Sequence, residues 1–498
     1  MTMTQRLATP WAVLALGCAS LLGAQQTAGD SRAAIRAADI KRDLFEMASD
    51  DFRGREAGTL DEMRASMWVA DMARRAGLAP AGELGSYFQW WGLRRNRVAS
   101  SSSITIGDRS VSLWTEAIVN GVTDARAQGA ILWIGSATGP DLDAMDLKGK
   151  VVAASITTPA NAPGSNVSLR AWRYARLAIG QRGNALAQRG AAAVILVADS
   201  TVDSVWDFQS VVSARGTYGL DSAGASQRPR VAMPVIVVRP AMSEPLQRAG
   251  ATATIDIRSE SFVYPSVNIV AKVVGTDPTL RDEYVLFSSH QDHDGVRSVV
   301  NGDSIWNGAD DNATGSVSLL AIARAFAKQP GKRSALFVWH GAEERGLLGS
   351  RWHAEHPMVP KAQIVAVLNA EMMGRNSPDS ASLLGVQPPH RNSIALVTMA
   401  LQANRETGKF LLDSLWDRPT HPEGWYFRSD HLPYARAGIP AVMYSSNLHP
   451  DYHTPRDEAA TIDIAKLTRM TLWIYRTGWL VANAKERPGV DPGFKLER

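Results

Sequence analysis

Apolar positions change their spacing twice along this 498-residue chain, and each texture predicts a different kind of element. Between Ile40 and about Gly77, the positions Met67, Val69, Ala70, Met72 and Ala73 recur at helical spacing. Gly77-Leu78-Ala79-Pro80 closes that helix, with a Gly stop and a Pro beyond it. From about Trp114 to Ser259 the apolar runs shorten to 130–134, 151–154, 193–197 and 235–238, separated by Gly, Pro, Ser and Asp. This stretch reads as an inserted β-rich module. After Pro265, strands at 269–274, 284–287, 335–338, 364–368 and 441–444 alternate with helices at 316–327, 393–404 and 464–482. Such alternation predicts an α/β fold, with a mostly parallel central sheet flanked by helices.

Ahead of these textures, Arg6, an apolar stretch from Trp11 to Leu22 and then Gly23-Ala24-Gln25 have the layout of a secretory signal peptide. The apolar run is too short to cross a bilayer, so no stable membrane insertion is expected after cleavage. The expected organisation is a signal peptide at 1–24, the first part of the α/β domain at 35–114, the insert at 115–260 and the second part at 261–485. Such a chain would be periplasmic or secreted. Ala15-Leu16-Gly17-Cys18 fits a lipoprotein signal poorly. Cys18 is the only cysteine, so a cleaved chain has neither a disulfide framework nor a thiol nucleophile.

Composition changes the picture little. With 45% hydrophobic and 20% charged residues the chain can bury a large core. The net charge is +4, the sequence pI is about 9.1, and no run of five or six Lys or Arg occurs. A nucleic acid partner gains no support from this.

The chemistry concentrates in the C-terminal half. In α/β sheets, ligands bind outside the carboxyl ends of the strands. His290, Glu343-Glu344 and Glu371 each closely follow an apolar run, so all are aimed at that one edge. His290 can offer a ring nitrogen to a metal, and Asp292, two residues on, is placed to fix its orientation. Asp311 lies in Asn307-Gly308-Ala309-Asp310-Asp311-Asn312, just before a helix, where one carboxylate can hold two cations; Asp310 competes with it, and Asp310 or Asn312 also suits an N-cap. Adjacent Glu343 and Glu344 repel unless cations or protons intervene, so one can bind metal while the other activates water. Glu371 ends an apolar strand, where an unpaired carboxylate is costly. For a second imidazole, His453, His431 and His449 all remain open. Asp203, Asp207 and Asp221 in the insert read as loop carboxylates.

At these residues the chain resembles the M28 family of metallopeptidases, the zinc-dependent aminopeptidases and their carboxypeptidase relatives. The resemblance rests on five ordered segments over roughly 280–460: His290-Gln291-Asp292, Gly308 to Gly315, Gly341 to Ser350, Asn369-Ala370-Glu371 and Tyr452-His453-Thr454. The insert is similar to a protease-associated domain in Leu147 to Val152 and Gly190 to Val194. The likeness implies a zinc-peptidase fold, two zinc ions per chain and peptide or protein substrates. It makes His290 and Glu371 ligands of one zinc, Glu344 and His453 ligands of the other, and Asp311 the bridge. Glu343 becomes the general base, Asp292 the partner of His290, and Tyr452 a candidate to support the oxyanion. Glu371 departs from the family's usual Asp. The expected activity is release of N-terminal residues. Carboxypeptidase or dipeptidase action, for which Arg418 and Arg428 offer candidate charges, and a non-catalytic binding role are the alternatives. Trp416, Trp425 and Tyr426 read equally as pocket lining or as core.

Overall fold

The computed structural model describes residues 31–159, 170–221 and 233–496. The signal-peptide stretch and Cys18 lie outside them. Helix α1 (Leu60–Arg75) begins on Thr59, whose hydroxyl accepts from the N–H groups of Asp61 and Glu62. It buries Ala65, Val69, Ala70 and Ala73, and Gly77, at φ +84°, ends it.

The main sheet has ten strands. Strands β1 (Phe88–Val98) and β2 (Ser259–Val273) pair antiparallel along all 11 residues of β1. Then β3 (Tyr284–His290), β4 (Ser334–His340), β5 (Ile364–Glu371) and β6 (Ala441–Ser445) form the centre in the spatial order β6-β5-β3-β4, all parallel. Antiparallel strands flank them, β2 beside β4 and Ser380–Leu384 beside β6. The sheet is therefore parallel where the candidate ligands sit, with an antiparallel neighbour on either side.

Because these central strands are covered on both faces, they read as continuous apolar runs. Helices α2 (Gly315–Lys328) and α3 (Ile464–Asn483) cover one face, closing Phe287, Phe326, Phe337, Trp473 and Ile474 into one core. Helices Leu348–Glu355 and His431–Arg436 cover the other, above Leu286, Leu336, Val338 and Val367. Burying each such large side chain contributes about 1.5–3 kcal/mol. That packing holds the strand ends, and with them the loops that carry the chemistry, in fixed positions.

The insert leaves the ladder at Val98 and returns at Ser259. Its own eight-stranded sheet starts at Ser103, ahead of the expected boundary. Ala125–Trp133, Val151–Ser155, Ala193–Val197 and Val235–Val238 run parallel at its centre, and helix Arg170–Ala187 packs on it. The module is thus α/β in its own right. Inside it, Thr217–Leu220 turns back to pair with β1 of the main sheet. Arg215 completes the attachment by donating to the carbonyls of Asp294 (2.9 Å) and Val296 (2.7 Å), just beyond His293.

Candidate metal centre

The chain places each candidate at the same sheet edge by a different route. His290 and Glu371 are the last residues of β3 and β5. Glu343 and Glu344 lie in the tight turn after β4, opened by Ala342 at φ +52°. Asp311 sits in the loop that leads into α2, and His453 follows β6 at φ +51°.

Two ligand groups result. In the first, His290 Nε2 lies 3.3 Å from Asp311 Oδ1 and 3.5 Å from Glu371 Oε2, with Glu343 Oε2 at 3.9 Å. In the second, His453 Nε2 lies 3.0 Å from Asp311 Oδ2 and 3.1 Å from Glu344 Oε1. His293, absent from the sequence-based set, joins this group with its Nδ1 2.9 Å from Glu344 Oε1. Asp311 presents one oxygen to each group. A tetrahedral ion with bonds of about 2.0–2.2 Å keeps its ligand atoms about 3.4 Å apart, close to these separations. His290 Nε2, His453 Nε2, Glu344 Oε1 and both ring nitrogens of His293 are buried without a hydrogen-bond partner. Each such orphan costs about 1–3 kcal/mol. Cations at the two positions would satisfy all of these but one ring nitrogen of His293, so the donor set fits a metal pair.

The charges respond to one another. Burial alone would raise Asp311 and Glu344, but pairing with His290 and His453 for the first, and with His453 and His293 for the second, holds both below the usual carboxylate range. Burial lowers His290, yet Glu371, Glu343 and Asp311 outweigh it and raise the imidazole well above its ordinary value. Glu343 moves the other way: burial, reinforced by Glu344, Glu371 and Asp430, pushes it well above the carboxylate range. An acid and base with separated affinities for the proton thus share one cleft.

A second layer of contacts fixes these side chains. Asp292 serves His290 through its main chain, since its carbonyl lies 3.0 Å from Nδ1, while the carboxylate accepts from the N–H groups of Glu343 (3.0 Å) and Glu344 (3.3 Å). The turn after β3 aims that carboxylate at the neighbouring loop and away from the ring, with its nearer oxygen 3.7 Å from Nδ1. Ser429 donates to Glu371 at 2.6 Å. Asp457 accepts from the N–H groups of Asp310 and Asp311, fixing the bridging loop. Buried Arg55, from the N-terminal segment, donates to the carbonyls of Met47, Gln291, Asn307 and Gly308.

Glu62 of α1 supports Gly341 from below, accepting from Gly58 N–H at 2.7 Å and Ser266 hydroxyl at 2.8 Å. Burial, with Asp292 nearby, raises it to about 8. In the unfolded chain Glu ionises near about 4.3, so between that pH and about 8 the unfolded state releases a proton the folded state keeps. Folding stability therefore falls as pH rises through this window. Glu62→Gln is expected to remove that share, of order a few kcal/mol at neutral pH. Denaturant titrations of both proteins from pH 5 to pH 8 check it; parallel declines would assign the slope to other groups.

The remaining candidates separate from the cluster. Asp310 accepts from Gly374 N–H at 2.6 Å and faces His449 at 3.5 Å, outside both ligand groups. Asn312 Oδ1 accepts from Gly315 N–H, a capping bond. His431 packs edge-on against Tyr426. Trp425 and Tyr426 are core with Leu384 and Met443, and Trp416 packs against them. Asp203 pairs with Arg239 and Asp221 with Arg94. Arg418 is exposed. Arg428 donates to Tyr452 Oη (2.8 Å) and Glu423 (3.0 Å), and Glu423 also pairs with Arg173 of the insert. Tyr452 in turn stacks on His453 at 3.9 Å between ring centroids.

The family model described as "Peptidase family M28" matches residues 268–477. Among curated proteins, the chain is 31% identical over 199 residues to "Leupeptin-inactivating enzyme 1" of Streptomyces exfoliatus, covering 39% of each. It is 30% identical over 167 residues to aminopeptidase YwaD of Bacillus subtilis (strain 168), covering 32% of this chain and 34% of that protein. The chain thus spans between a third and about half of the length of the curated relatives it matches, 52% for leucine aminopeptidase 1 of Trichophyton rubrum. Among solved structures, the aminopeptidase from Aneurinibacillus sp. strain AM-1 superposes with a TM-score of 0.58 at 18% identity, covering 94% of this chain and 98% of that one. The zinc aminopeptidase BSAP from Bacillus subtilis gives 0.56 at 17% identity, over 93% and 99%. These superpositions establish a shared fold, extending across most of the insert.

Proposed function

With residues 268–477 as a peptidase family M28 domain, we propose that the protein is an exported di-zinc aminopeptidase that releases N-terminal residues from peptides, with Glu343 as general base. The observation that carries this is Asp311, which offers one oxygen to each of two ligand groups, with the Glu343 carboxylate beside the first at 3.9 Å from His290 Nε2. His290, Asp311 and Glu371 would hold one zinc, and Asp311, Glu344 and His453 the other. When bound, the pair polarises a peptide carbonyl and lowers the proton affinity of water. Glu343 takes the proton and later passes it to the leaving amine. Tyr452, held by Arg428 and by stacking on His453, is positioned to donate toward an oxyanion. The names of the relatives YwaD and leucine aminopeptidase 1 support the aminopeptidase reading, and the N-terminal layout supports export.

The insert, similar to a protease-associated domain, shapes the approach. A cavity of about 360 Å³ is lined by Trp172 and Phe208 of the insert, by Val299 and Trp306, by the charged Asp203, Asp207 and Arg239, and by His453 and Thr454. Its aromatic side chains next to His453 suit the first side chain of a peptide. A free C-terminal carboxylate finds less support, because the Arg428 guanidinium is engaged by Glu423 and Tyr452.

Release of p-nitroaniline from aminoacyl substrates, free and N-acetylated, tests the reading alongside metal analysis. Cleavage of free substrates only is expected, with large apolar residues favoured over alanine by about 10–200-fold, and with two metals per chain. Equal cleavage of acetylated substrates would overturn the aminopeptidase. No cleavage with two bound metals would point to carboxypeptidase or dipeptidase action, and no bound metal to a binding protein.

A further inference from the structure

We propose that His293 is a third imidazole ligand of the centre, completing a four-residue set with Asp311, Glu344 and His453, while the first ion keeps only three protein ligands. This rests on the two-metal reading above and departs from the ligand set that the resemblance implies. The ring is fully buried. Its Nδ1 lies 2.9 Å from Glu344 Oε1 and 3.9 Å from Asp311 Oδ2, and all four donor atoms of this set fall within 4.8 Å of one another.

Two further observations point to a ligand. Neither ring nitrogen of His293 has a hydrogen-bond partner, so the approach to Glu344 lacks the alignment of a donated hydrogen bond. Buried His431 also leaves both nitrogens unpaired but lies outside both ligand groups, whereas His293 has its donor atom within 4.8 Å of three other donor atoms. The site is also shaped around the ring. Gly308, at φ +57°, leaves the space that the imidazole fills, and a Cβ there would collide with it. The ring stands at 83° to that of His453, with 5.4 Å between centroids, so two imidazoles approach one position from different directions. The His293 N–H donates to the carbonyl of Arg55 (3.3 Å), tying the backbone to the clamp that orders both loops.

The two ions would therefore be unequal. A site with four protein ligands is closed, whereas one with three leaves a position open. The open position falls to the ion of His290, Asp311 and Glu371, the group next to Glu343 at 3.9 Å from His290. The second ion would be the tightly held one.

The test compares wild type with His293→Ala and His293→Gln by metal content after dialysis against graded chelator, and by the visible spectrum of the cobalt-loaded proteins. The wild type is expected to lose its ions in two steps. The variants are expected to weaken the tighter step by more than the about 10–100-fold typical of removing an outer partner, with a changed cobalt spectrum and partial recovery on adding free imidazole. Wild-type retention of both ions and an unchanged spectrum in the variants would overturn the assignment. So would weaker retention with an unchanged spectrum, which describes a residue that only orients Glu344. Should the variants fail to fold, scalar coupling between cadmium-113 and the His293 ring nitrogen in the loaded wild type decides directly: its presence supports the assignment and its absence overturns it. A wild type that binds a single ion defeats the two-metal reading, while the same comparison still shows whether His293 holds that ion.

Discussion

Exchange of Glu343 for glutamine is expected to lower kcat by about 100- to 10,000-fold while leaving metal content intact. The turn around Glu343 is held through its main-chain N–H, which Asp292 accepts, so the side chain can change without releasing the loop. Its carboxylate stands off His290 at 3.9 Å, farther than Asp311 or Glu371. Glutamine fills the same space but cannot take a proton. Binding contacts remain, so KM should move little while kcat and kcat/KM fall together. Steady-state kinetics with zinc analysis on both proteins checks this. An unchanged kcat would place the base elsewhere, with buried Asp430, which burial raises to about 7 and whose charge acts on Glu343, as the next candidate.

Asp311→Asn should be more damaging and in a different way. One carboxylate faces both groups, Oδ1 toward His290 at 3.3 Å and Oδ2 toward His453 at 3.0 Å. Asparagine keeps one acceptor and turns the other into a donor, so each orientation leaves one group facing N–H hydrogens. Both ions are expected to weaken beyond the about 10–100-fold typical of an outer partner, and activity to fall below detection. Glu371→Ala should release one ion and spare the other. Metal analysis of dialysed proteins separates these outcomes; a variant at Asp311 that retains one ion at wild-type affinity would show that the carboxylate serves a single site.

Much of the architecture is legible in apolar spacing because the central strands are covered on both faces. The runs at 284–287 and 364–368 lie inside β3 and β5, and the helical pattern at 316–327 lies within α2. Helix Arg170–Ala187 escapes the same reading. It packs through Ala175, Ala178, Ile179 and Leu186, half of them alanines, in a helix that also carries several arginines, and so shows little apolar contrast. The five segments that carry the family resemblance come together in space: four end or follow a parallel strand, and Gly308 to Gly315 follows the antiparallel hairpin strand Asp303–Trp306 into α2. Contacts between loops are harder to foresee. Two residues of separation put Asp292 beside His290, but the turn after β3 sends its carboxylate to the Glu343-Glu344 amides. His293 carries a local signal, an imidazole three residues beyond His290, yet its place depends on space left by Gly308 across the fold. Asp457 stands in the same segment as His453, but that spacing does not tell that its carboxylate accepts from the amides of Asp310 and Asp311.

The Arg55 clamp sets a limit on how this molecule can be divided. Four carbonyls, three of them in loops that precede or carry candidate ligands, converge on a side chain located more than two hundred residues upstream of His290. A fragment trimmed to 268–477 would leave the three of those carbonyls it retains without their cation, cut β2 to its last six residues and remove the Glu62 side chain that packs against Gly341. The segment that carries the family likeness therefore depends on side chains outside it. Synthesised in order, the chain must hold Arg55 and Glu62 ready through the whole of the insert, and its centre can assemble only after the loop of His453 and Asp457 has been made.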